Sequence, residues 1–229
     1  MALAAGGLAY EWVALCGGRP WRMPGLVVPA VVLFAGLIAV LDRERWALVA
    51  LAMGAALAGL SSGRRAMVAG VLYVGVASVA LVWLRGDNAA GRANVLFLVF
   101  VVWASDIGAY AAGRLLGGPK LAPSISPGKT WSGAIGGLLA AMAVGEVAGD
   151  MLAVAPIGRA AMIGGLLGLA AQGGDLLESA IKRHFGVKDS GKLIPGHGGL
   201  LDRLDGLLTA APAAAALALL LGRGVALWQ

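Results

Sequence analysis

The sequence is poor in charge and has a single cysteine. Charged residues make up 13% of the chain, about half the share of roughly 25% that soluble domains carry. A water-exposed surface cannot be covered with so few charges, so most of the surface must face lipid. This composition excludes a disordered, fibrous or nucleic-acid-coating protein. Cys16 alone permits neither an internal disulfide nor a cysteine-rich metal site.

Apolar residues are abundant instead, at 59% of the chain, together with 37 glycines. A bilayer core of about 30 Å needs about 20 helical residues. The apolar runs approach that length and do not alternate, so they predict helices and not strands. They lie near residues 1–16, 24–41, 46–63, 66–84, 93–113, 131–149, 156–178 and 204–222. We therefore predict an all-α, polytopic integral membrane protein with about eight transmembrane helices in one bundle.

The first helix is the weakest of the eight, because it is short and Glu11 interrupts it. The N-terminal residues lack the basic region of a secretory signal, so we expect them to begin the mature chain. No repeat or linker divides the sequence, and one membrane-embedded domain is expected over 1–229. Within this domain, the N-terminal helices are expected in residues 1–100, the catalytic region in 101–208 and the last helix in 204–222. Close helix approach is expected at Gly164, Gly165, Gly168, Gly173 and Gly174.

Lys and Arg are distributed unequally between alternate loops. Twelve of them lie in one set of alternate segments, namely 17–23, 61–65, 114–130 and 182–203. The other 6 lie in the segments between, namely 42–45, 85–92, 150–159 and the C-terminal segment. The positive-inside rule therefore places the first group in the cytoplasm and both termini outside. In such a protein, the net charge of +6 indicates cytoplasmic loops and anionic partners and not DNA binding.

Charge is concentrated between Gly173 and Asp205, where ten of the chain's 30 formal charges and both histidines lie. Four side chains at i, i+3, i+4 and i+7 share one helix face, and these are Asp175, Glu178, Ser179 and Lys182. Two further carboxylates, Asp202 and Asp205, stand three residues apart at the start of the last helix. Acids at the end of an apolar helix are costly and usually functional.

These residue types suit phosphate chemistry. Carboxylates from two helix ends offer the hard oxygen ligands that Mg²⁺ prefers, and no cysteine–histidine pattern for zinc is present. Three neighbouring bases, Lys182, Arg183 and Arg203, can neutralise phosphate oxygens. The pattern predicts phosphoryl or nucleotidyl transfer, a chemistry that depends mainly on positioning and charge neutralisation.

A second candidate cluster comes earlier in the chain. Asp106 lies inside an apolar helix, and the segment after that helix has the sequence GGPKLAPSISPGKTW. Its donors are Ser124, Ser126, Lys129 and Thr130, just before a helix whose N-terminus favours an anion. The GxxxxGK[ST] pattern of a P-loop is absent. An acid inside a membrane helix strengthens the prediction of a phosphate site here.

Taken together, these motifs resemble the phosphatidate cytidylyltransferase (CDP-diacylglycerol synthase) family. The run Ser179–Asp205, SAIKRHFGVKDSGKLIPGHGGLLDRLD, is similar to the family signature. Three further stretches resemble family motifs, namely QGGDLLES, SPGKTW and the pattern formed by Asp106, Tyr110, Gly113 and Arg114. The resemblance is strong over about 103–208 and rests on hydropathy elsewhere.

The resemblance implies that CTP and phosphatidate become CDP-diacylglycerol and pyrophosphate, at the cytoplasmic face of a bacterial inner membrane. Its implied catalytic residues are Asp175, Lys182, Asp202 and Asp205, with the three aspartates binding Mg²⁺. Its implied substrate-binding residues are Asp106, Ser126, Lys129, Thr130, Arg183, Lys188, Asp189, His197 and Arg203. Membrane lipids are expected partners and nucleic acid is not. Whether a second, monovalent cation is bound and whether the chain forms a homodimer are open questions.

The chain departs from the family pattern in two places. Ser132 stands where the family usually has Glu, which puts an essential role for that Glu in doubt. EWVAL, residues 11–15, looks like the end of a later family helix, so the chain is expected to lack one N-terminal hairpin. Two other functions stay open: a CTP-dependent kinase of a polyprenol or phytol, and an ion or phosphate transporter that uses Asp106 and Asp175. The one-sided clustering of the acids disfavours a transporter.

Overall fold

The structure is a computed structural model of the chain, and it describes residues 1–86, 90–152, 158–196, 198–221 and 227. Within these residues the chain forms eight helices. They are α1 (Ala2–Leu15), α2 (Val27–Val40), α3 (Glu44–Ser62), α4 (Arg65–Gly86), α5 (Gly91–Leu116), α6 (Trp131–Leu152), α7 (Arg159–His184) and α8 (Leu201–Leu221). Each corresponds to one predicted apolar run, so the all-α prediction is confirmed.

Six of these helices, α3 to α8, are long and apolar enough to cross a membrane. Helices α1 and α2 have 14 residues each and are shorter than a typical span. The protein is therefore a polytopic integral membrane protein. Helix α1 is short, as predicted from the sequence. Glu11 lies within this helix and is buried.

Along the chain, two compact units can be distinguished. The first comprises Met1–Gly86 and Ile181–Leu204, and the second comprises Asp87–Ala180 and Asp205–Gln229. In the first unit, α1 to α4 pack around buried side chains that include Trp12, Val28 and Val71. The indole N–H of Trp12 donates to the carbonyl oxygen of Ala66 at 2.8 Å. This bond ties α1 to α4, because a buried indole N–H needs an acceptor.

In the second unit, small residues bring helix backbones together, as the glycine content predicts. A Cβ atom at Gly164 of α7 would lie 2.6 Å from the carbonyl oxygen of Ala141 in α6. Close neighbours likewise surround Gly165, Gly168 and Gly174, so these predictions are confirmed. The prediction for Gly173 is wrong, because no atom of the described residues lies within 4 Å of the Cβ position there. Gly173 is exposed and does not make a helix contact of this kind.

Two features of the fold were not predicted from the apolar runs. The loop before α6 contains an antiparallel hairpin of β1 (Lys120–Ala122) and β2 (Ser126–Thr130), which satisfies backbone groups of the loop. Helix α7 continues beyond the predicted apolar run 156–178 to His184, so Lys182, which its spacing had placed on the helix face, is helical together with Arg183. Basic residues in a last turn interact favourably with the helix dipole, which is consistent with this extension.

Candidate active site

A cleft of about 540 Å³ opens in the second unit. Its walls come from α5, from the end of the β-hairpin and from α7. Charged or polar side chains line it from each wall: Asp106, Tyr110 and Arg114 from α5, Lys129 and Thr130 from β2, and Gln172 and Asp175 from α7. The structure therefore brings together predicted residues that are up to 69 positions apart in sequence, from Asp106 to Asp175.

The α5 wall carries its polar groups on one helix face. Asp106, Tyr110 and Arg114 follow at i, i+4 and i+8, which places them above one another along the helix. The Nη1 group of Arg114 donates to the hydroxyl oxygen of Tyr110 at 2.9 Å. Neither Tyr110 nor Arg114 was among the predicted site residues, although their spacing from Asp106 is the signal that identifies them. The guanidinium gives this wall a fixed positive charge.

The opposite walls are joined by an ion pair. The Nζ atom of Lys129 in β2 lies 2.7 Å from Oδ2 of Asp175 in α7, and these side chains are 24% and 37% exposed. Since the pair is partly open to solvent, its main consequence is positional. It holds one ammonium and one carboxylate at the cleft surface, where each can meet an incoming ligand.

The end of the hairpin is fixed by hydroxyl groups. The Oγ1 atom of Thr130 accepts a hydrogen bond from the backbone N–H of Gly133 at 3.1 Å, so Thr130 caps α6. Ser132 lies 3.0 Å from this oxygen through its Oγ, which also donates to the carbonyl oxygen of Gly117. Ser132 thus fastens the first turn of α6 both to Thr130 at the end of the hairpin and to the C-terminal end of α5.

Helix α7 is held against α8 just beside Asp175. A Cβ atom at Gly174 would lie 2.6 Å from the carbonyl oxygen of Asp205, which leaves room for glycine alone. The hydroxyl of Thr209 donates to the carbonyl oxygen of Ala170 at 2.7 Å. Gln172 is fixed on another side, where its amide nitrogen lies 3.2 Å from Ser105 Oγ and 3.2 Å from the carbonyl oxygen of Ala134. These contacts set the position of the α7 wall.

A separate cluster lies in the first unit and centres on Asp202. Its Oδ1 atom is 2.7 Å from Nζ of Lys182, and the two side chains are 15% and 12% exposed. The carboxylate also accepts hydrogen bonds from the backbone N–H groups of Ser190, at 3.0 Å, and Gly199, at 2.9 Å. Asp202 therefore holds both ends of the Ser190–Gly199 stretch to the start of α8.

Glu11 supports the same stretch from α1. Its side chain is 1% exposed, and its carboxylate accepts hydrogen bonds from the N–H groups of Leu193, at 3.3 Å, and Leu201, at 2.8 Å. A Cβ atom at Gly191 would lie 2.5 Å from Oε1, so a larger residue there would displace the Glu11 carboxylate. This role of Glu11 was not predicted from the sequence, although an acid inside an apolar helix was a signal for it.

The remaining predicted residues have other surroundings. Arg183, Lys188, Asp189 and Arg203 are exposed, and Ser126 is partly buried in β2. The Nη1 group of Arg183 donates to the carbonyl oxygen of Val187 at 3.0 Å. Asp205 is half-buried, and its Oδ1 accepts from the N–H of Gly206 at 2.8 Å. His197 lies outside the described residues.

The carboxylates of the cleft are suited to a magnesium ion but do not enclose one. Among the described residues, no three His, Cys, Asp or Glu side chains lie close enough together to hold a metal. Mg²⁺ is usually bound by one or two carboxylates together with substrate phosphates and water. Asp106 and Asp175 supply two carboxylates to one cleft, and this donor set fits that mode of binding. The metal ligands predicted from sequence, Asp175, Asp202 and Asp205, stay a prediction.

Comparison with known proteins decides the family. The sequence profile of the cytidylyltransferase family matches residues 2–221. The chain belongs to the cytidylyltransferase family. It is 45% identical over 210 residues to a phosphatidate cytidylyltransferase of Brucella suis biovar 1 (strain 1330), covering 88% of the chain and 76% of that protein. This agrees with the resemblance that the motifs indicate.

Two shorter matches lie in other bacteria. A phosphatidate cytidylyltransferase of Staphylococcus saprophyticus is 43% identical over 146 residues, which cover 62% of the chain and 54% of that protein. Uncharacterized protein YnbB of Escherichia coli (strain K12) is 44% identical over 133 residues, or 58% of the chain and 45% of that protein. Membership in the cytidylyltransferase family makes the chain a nucleotidyltransferase.

Proposed function

We propose that the chain is a phosphatidate cytidylyltransferase, which converts CTP and phosphatidate to CDP-diacylglycerol and pyrophosphate in phospholipid biosynthesis. The 45% identity to the Brucella protein over 88% of the chain carries this proposal. The cleft supports it, because it combines bases, carboxylates and hydroxyls in a membrane protein. The substrates, CTP and phosphatidate, each bring phosphate groups that such side chains can bind.

In the proposed reaction, a phosphate oxygen of phosphatidate attacks the α-phosphorus of CTP. A new P–O bond forms, the bond between the α-phosphorus and the bridging oxygen breaks, and pyrophosphate leaves with that oxygen. A phosphate monoester is largely ionised at pH 7, so the nucleophile needs no strong general base. The protein must therefore position the two substrates and offset their mutual repulsion.

The cleft residues divide this work. Lys129 and Arg114 present positive charge from two walls, and we assign them to phosphate oxygens of the substrates. Gly128 has no described neighbour within 4 Å of its Cβ position, so it leaves backbone open near Thr130, which allows close approach of a phosphate. Leu121 and Leu176 add apolar surface to the same cleft, which suits a substrate with acyl chains.

We further propose that Mg²⁺ is bound at this cleft by Asp175, with Asp106 as the second carboxylate. When bound, the ion would neutralise charge on the phosphates. Asp175 meets Lys129 at 2.7 Å, so a ligand that draws Lys129 to its phosphates also frees an oxygen of Asp175. In the other charged segment, we assign Lys182, Arg183 and Arg203 to the binding of substrate phosphates, and Lys188 and Asp189 to shaping the substrate pocket.

The active site is proposed to face the cytoplasm of a bacterial inner membrane. The distribution of Lys and Arg supports this orientation, since the loops 114–130 and 182–203 belong to the basic group. The proposal is tested with purified protein, CTP, Mg²⁺ and phosphatidate in detergent. CDP-diacylglycerol and pyrophosphate should form in equal amounts, and omission of any one component should abolish both. Pyrophosphate release without phosphatidate would contradict it.

A further inference from the structure

A second cleft of about 540 Å³ lies within the unit formed by Met1–Gly86 and Ile181–Leu204. It is bounded by the α1–α2 connection and the α3–α4 turn. Three arginines line it, Arg19, Arg22 and Arg64, and Ser61 and Ser62 add hydroxyl groups. No Asp or Glu is among the described residues of its lining, so the cleft carries three formal positive charges.

The segment that carries Arg19 and Arg22 is tightly built. A Cβ atom at Gly25 would lie 2.3 Å from the carbonyl oxygen of Arg19, so the segment can close on itself only with glycine there. Arg64 ties this segment to the α3–α4 turn, since its Nη1 donates to the carbonyl oxygens of Cys16, at 3.2 Å, and Gly17, at 3.4 Å. The close backbone approach at Gly25 and the hydrogen bonds of the Arg64 side chain therefore hold the shape of the cleft.

The other two arginines are available to a ligand. Arg19 and Arg22 are exposed, and within the described part of the chain their side chains form no ion pair or hydrogen bond. Neighbouring guanidinium groups without an acidic partner repel one another, and a bound phosphate relieves that repulsion with charge-assisted hydrogen bonds. The cleft thus has the chemistry of an anion site.

The surroundings of the cleft indicate where its anion comes from. Trp21 and Met23, in the same segment, are 61% and 69% exposed, and Leu26 is 42% exposed. The ring centroid of Trp21 lies 6.0 Å from that of Tyr10. Exposed Trp and Tyr rings of a membrane protein sit at the level of the lipid headgroups. A phospholipid has a phosphate in its headgroup next to its acyl chains. The three arginines suit that phosphate, and the apolar side chains beside them suit the start of the acyl chains.

We propose that the cleft of Arg19, Arg22 and Arg64 binds the headgroup phosphate of an anionic phospholipid. Its described lining residues are all different from those of the cleft of Asp106, Lys129 and Asp175. The site is a lipid-binding site additional to the reaction site, and it stands whether or not the chain makes CDP-diacylglycerol. An anionic bilayer would thereby hold the α1–α2 connection at its surface.

Native mass spectrometry of the detergent-purified chain tests this proposal, with phosphatidylglycerol and phosphatidylcholine as competing probes. The wild type should retain phosphatidylglycerol in preference to phosphatidylcholine. Arg19→Gln with Arg22→Gln removes two guanidinium groups that form no ion pair or hydrogen bond with the described residues, and it should weaken phosphatidylglycerol binding by roughly thirtyfold. Arg43→Gln with Arg45→Gln, at the start of α3, is the matched control and should bind as the wild type does.

Two results would overturn the lipid site. One is that the Arg19→Gln, Arg22→Gln variant retains as much phosphatidylglycerol as the wild type does. The same conclusion follows if the Arg43→Gln, Arg45→Gln control loses as much phosphatidylglycerol as that variant. The other concerns a soluble phosphate source, for which inorganic phosphate and CTP are added as competitors. Displacement of phosphatidylglycerol from the wild type by either would assign the cleft to a free phosphate and contradict a headgroup site. Retained circular dichroism and thermal unfolding show that each variant is folded.

Discussion

The ammonium of Lys129 lies 2.7 Å from the carboxylate of Asp175, and this ion pair joins strand β2 to helix α7 across the cleft. A basic and an acidic group are thus kept in contact at the surface that we assign to the substrates. Each has a charged partner while no ligand is bound, and each can exchange that partner for a phosphate or a cation.

Asp175→Asn should abolish turnover and leave the chain folded in the membrane. Asn keeps the shape and loses the charge, so both the ion pair and the proposed Mg²⁺ ligand disappear. We expect CDP-diacylglycerol formation to fall at least about a hundredfold, about 2.7 kcal/mol of transition-state stabilisation. Asp150→Asn, on an exposed position of α6, is the matched control and should keep full activity. Near-normal turnover by Asp175→Asn would remove this carboxylate from the mechanism.

Asp202→Asn should lower turnover without changing the Mg²⁺ concentration needed for half-maximal activity. The structure gives Asp202 the role of holding Lys182 and the N–H groups of Ser190 and Gly199. Asn retains one oxygen acceptor and loses the charge, so the Ser190–Gly199 stretch loosens. A Mg²⁺ titration of the variant separates this role from metal binding. A large rise in the Mg²⁺ requirement would instead support the metal ligand predicted from sequence.

Glu11→Gln should lower activity from a position in α1. The Glu11 carboxylate accepts from the N–H groups of Leu193 and Leu201, and the amide nitrogen of Gln cannot accept. One buried N–H is then left unsatisfied, which costs about 1–3 kcal/mol. Faster hydrogen exchange at Leu193 or Leu201, with unchanged exchange in α5, is the expected signature. Unaltered exchange at both amides would refute the anchoring role.

Cysteine labelling tests the orientation. A cysteine at Val187, which is 37% exposed, should react with an impermeant maleimide only after permeabilisation of the cells. A cysteine at Leu41, which is 64% exposed at the end of α2, should react in intact cells. Cys16 gives little background, because burial raises its pKa to about 11 and keeps the thiol protonated. The reverse labelling pattern would contradict the cytoplasmic site.

The sequence predicted the helices well, because lipid imposes a simple requirement on length and apolarity. All eight predicted apolar runs correspond to helices of the described chain. The ends were less predictable, since the polar residues after Asp175 do not show whether a helix stops. The predicted apolar run ends at residue 178, whereas helix α7 continues to His184, and only the spacing of Glu178, Ser179 and Lys182 indicated that extension.

The candidate site was predictable in part. Motif resemblance pointed to Asp106, Lys129, Thr130 and Asp175, and the structure places all four in one cleft. The link between Glu11 and Leu201 spans 190 residues, and nothing local in the sequence specifies such a partner. The pairing of Lys182 with Asp202 is of the same kind, because it depends on how the intervening loop folds back.

The central claim is that the chain transfers a cytidylyl group to a lipid phosphate. CTP labelled at either the α- or the γ-phosphorus, incubated with the purified chain, Mg²⁺ and phosphatidate, tests it most directly. A cytidylyltransferase puts the α label into the lipid product and releases the γ label in pyrophosphate, and this is the result that we expect. A γ label in the lipid, with the α label left in CDP, would identify a CTP-dependent lipid kinase and contradict the claim.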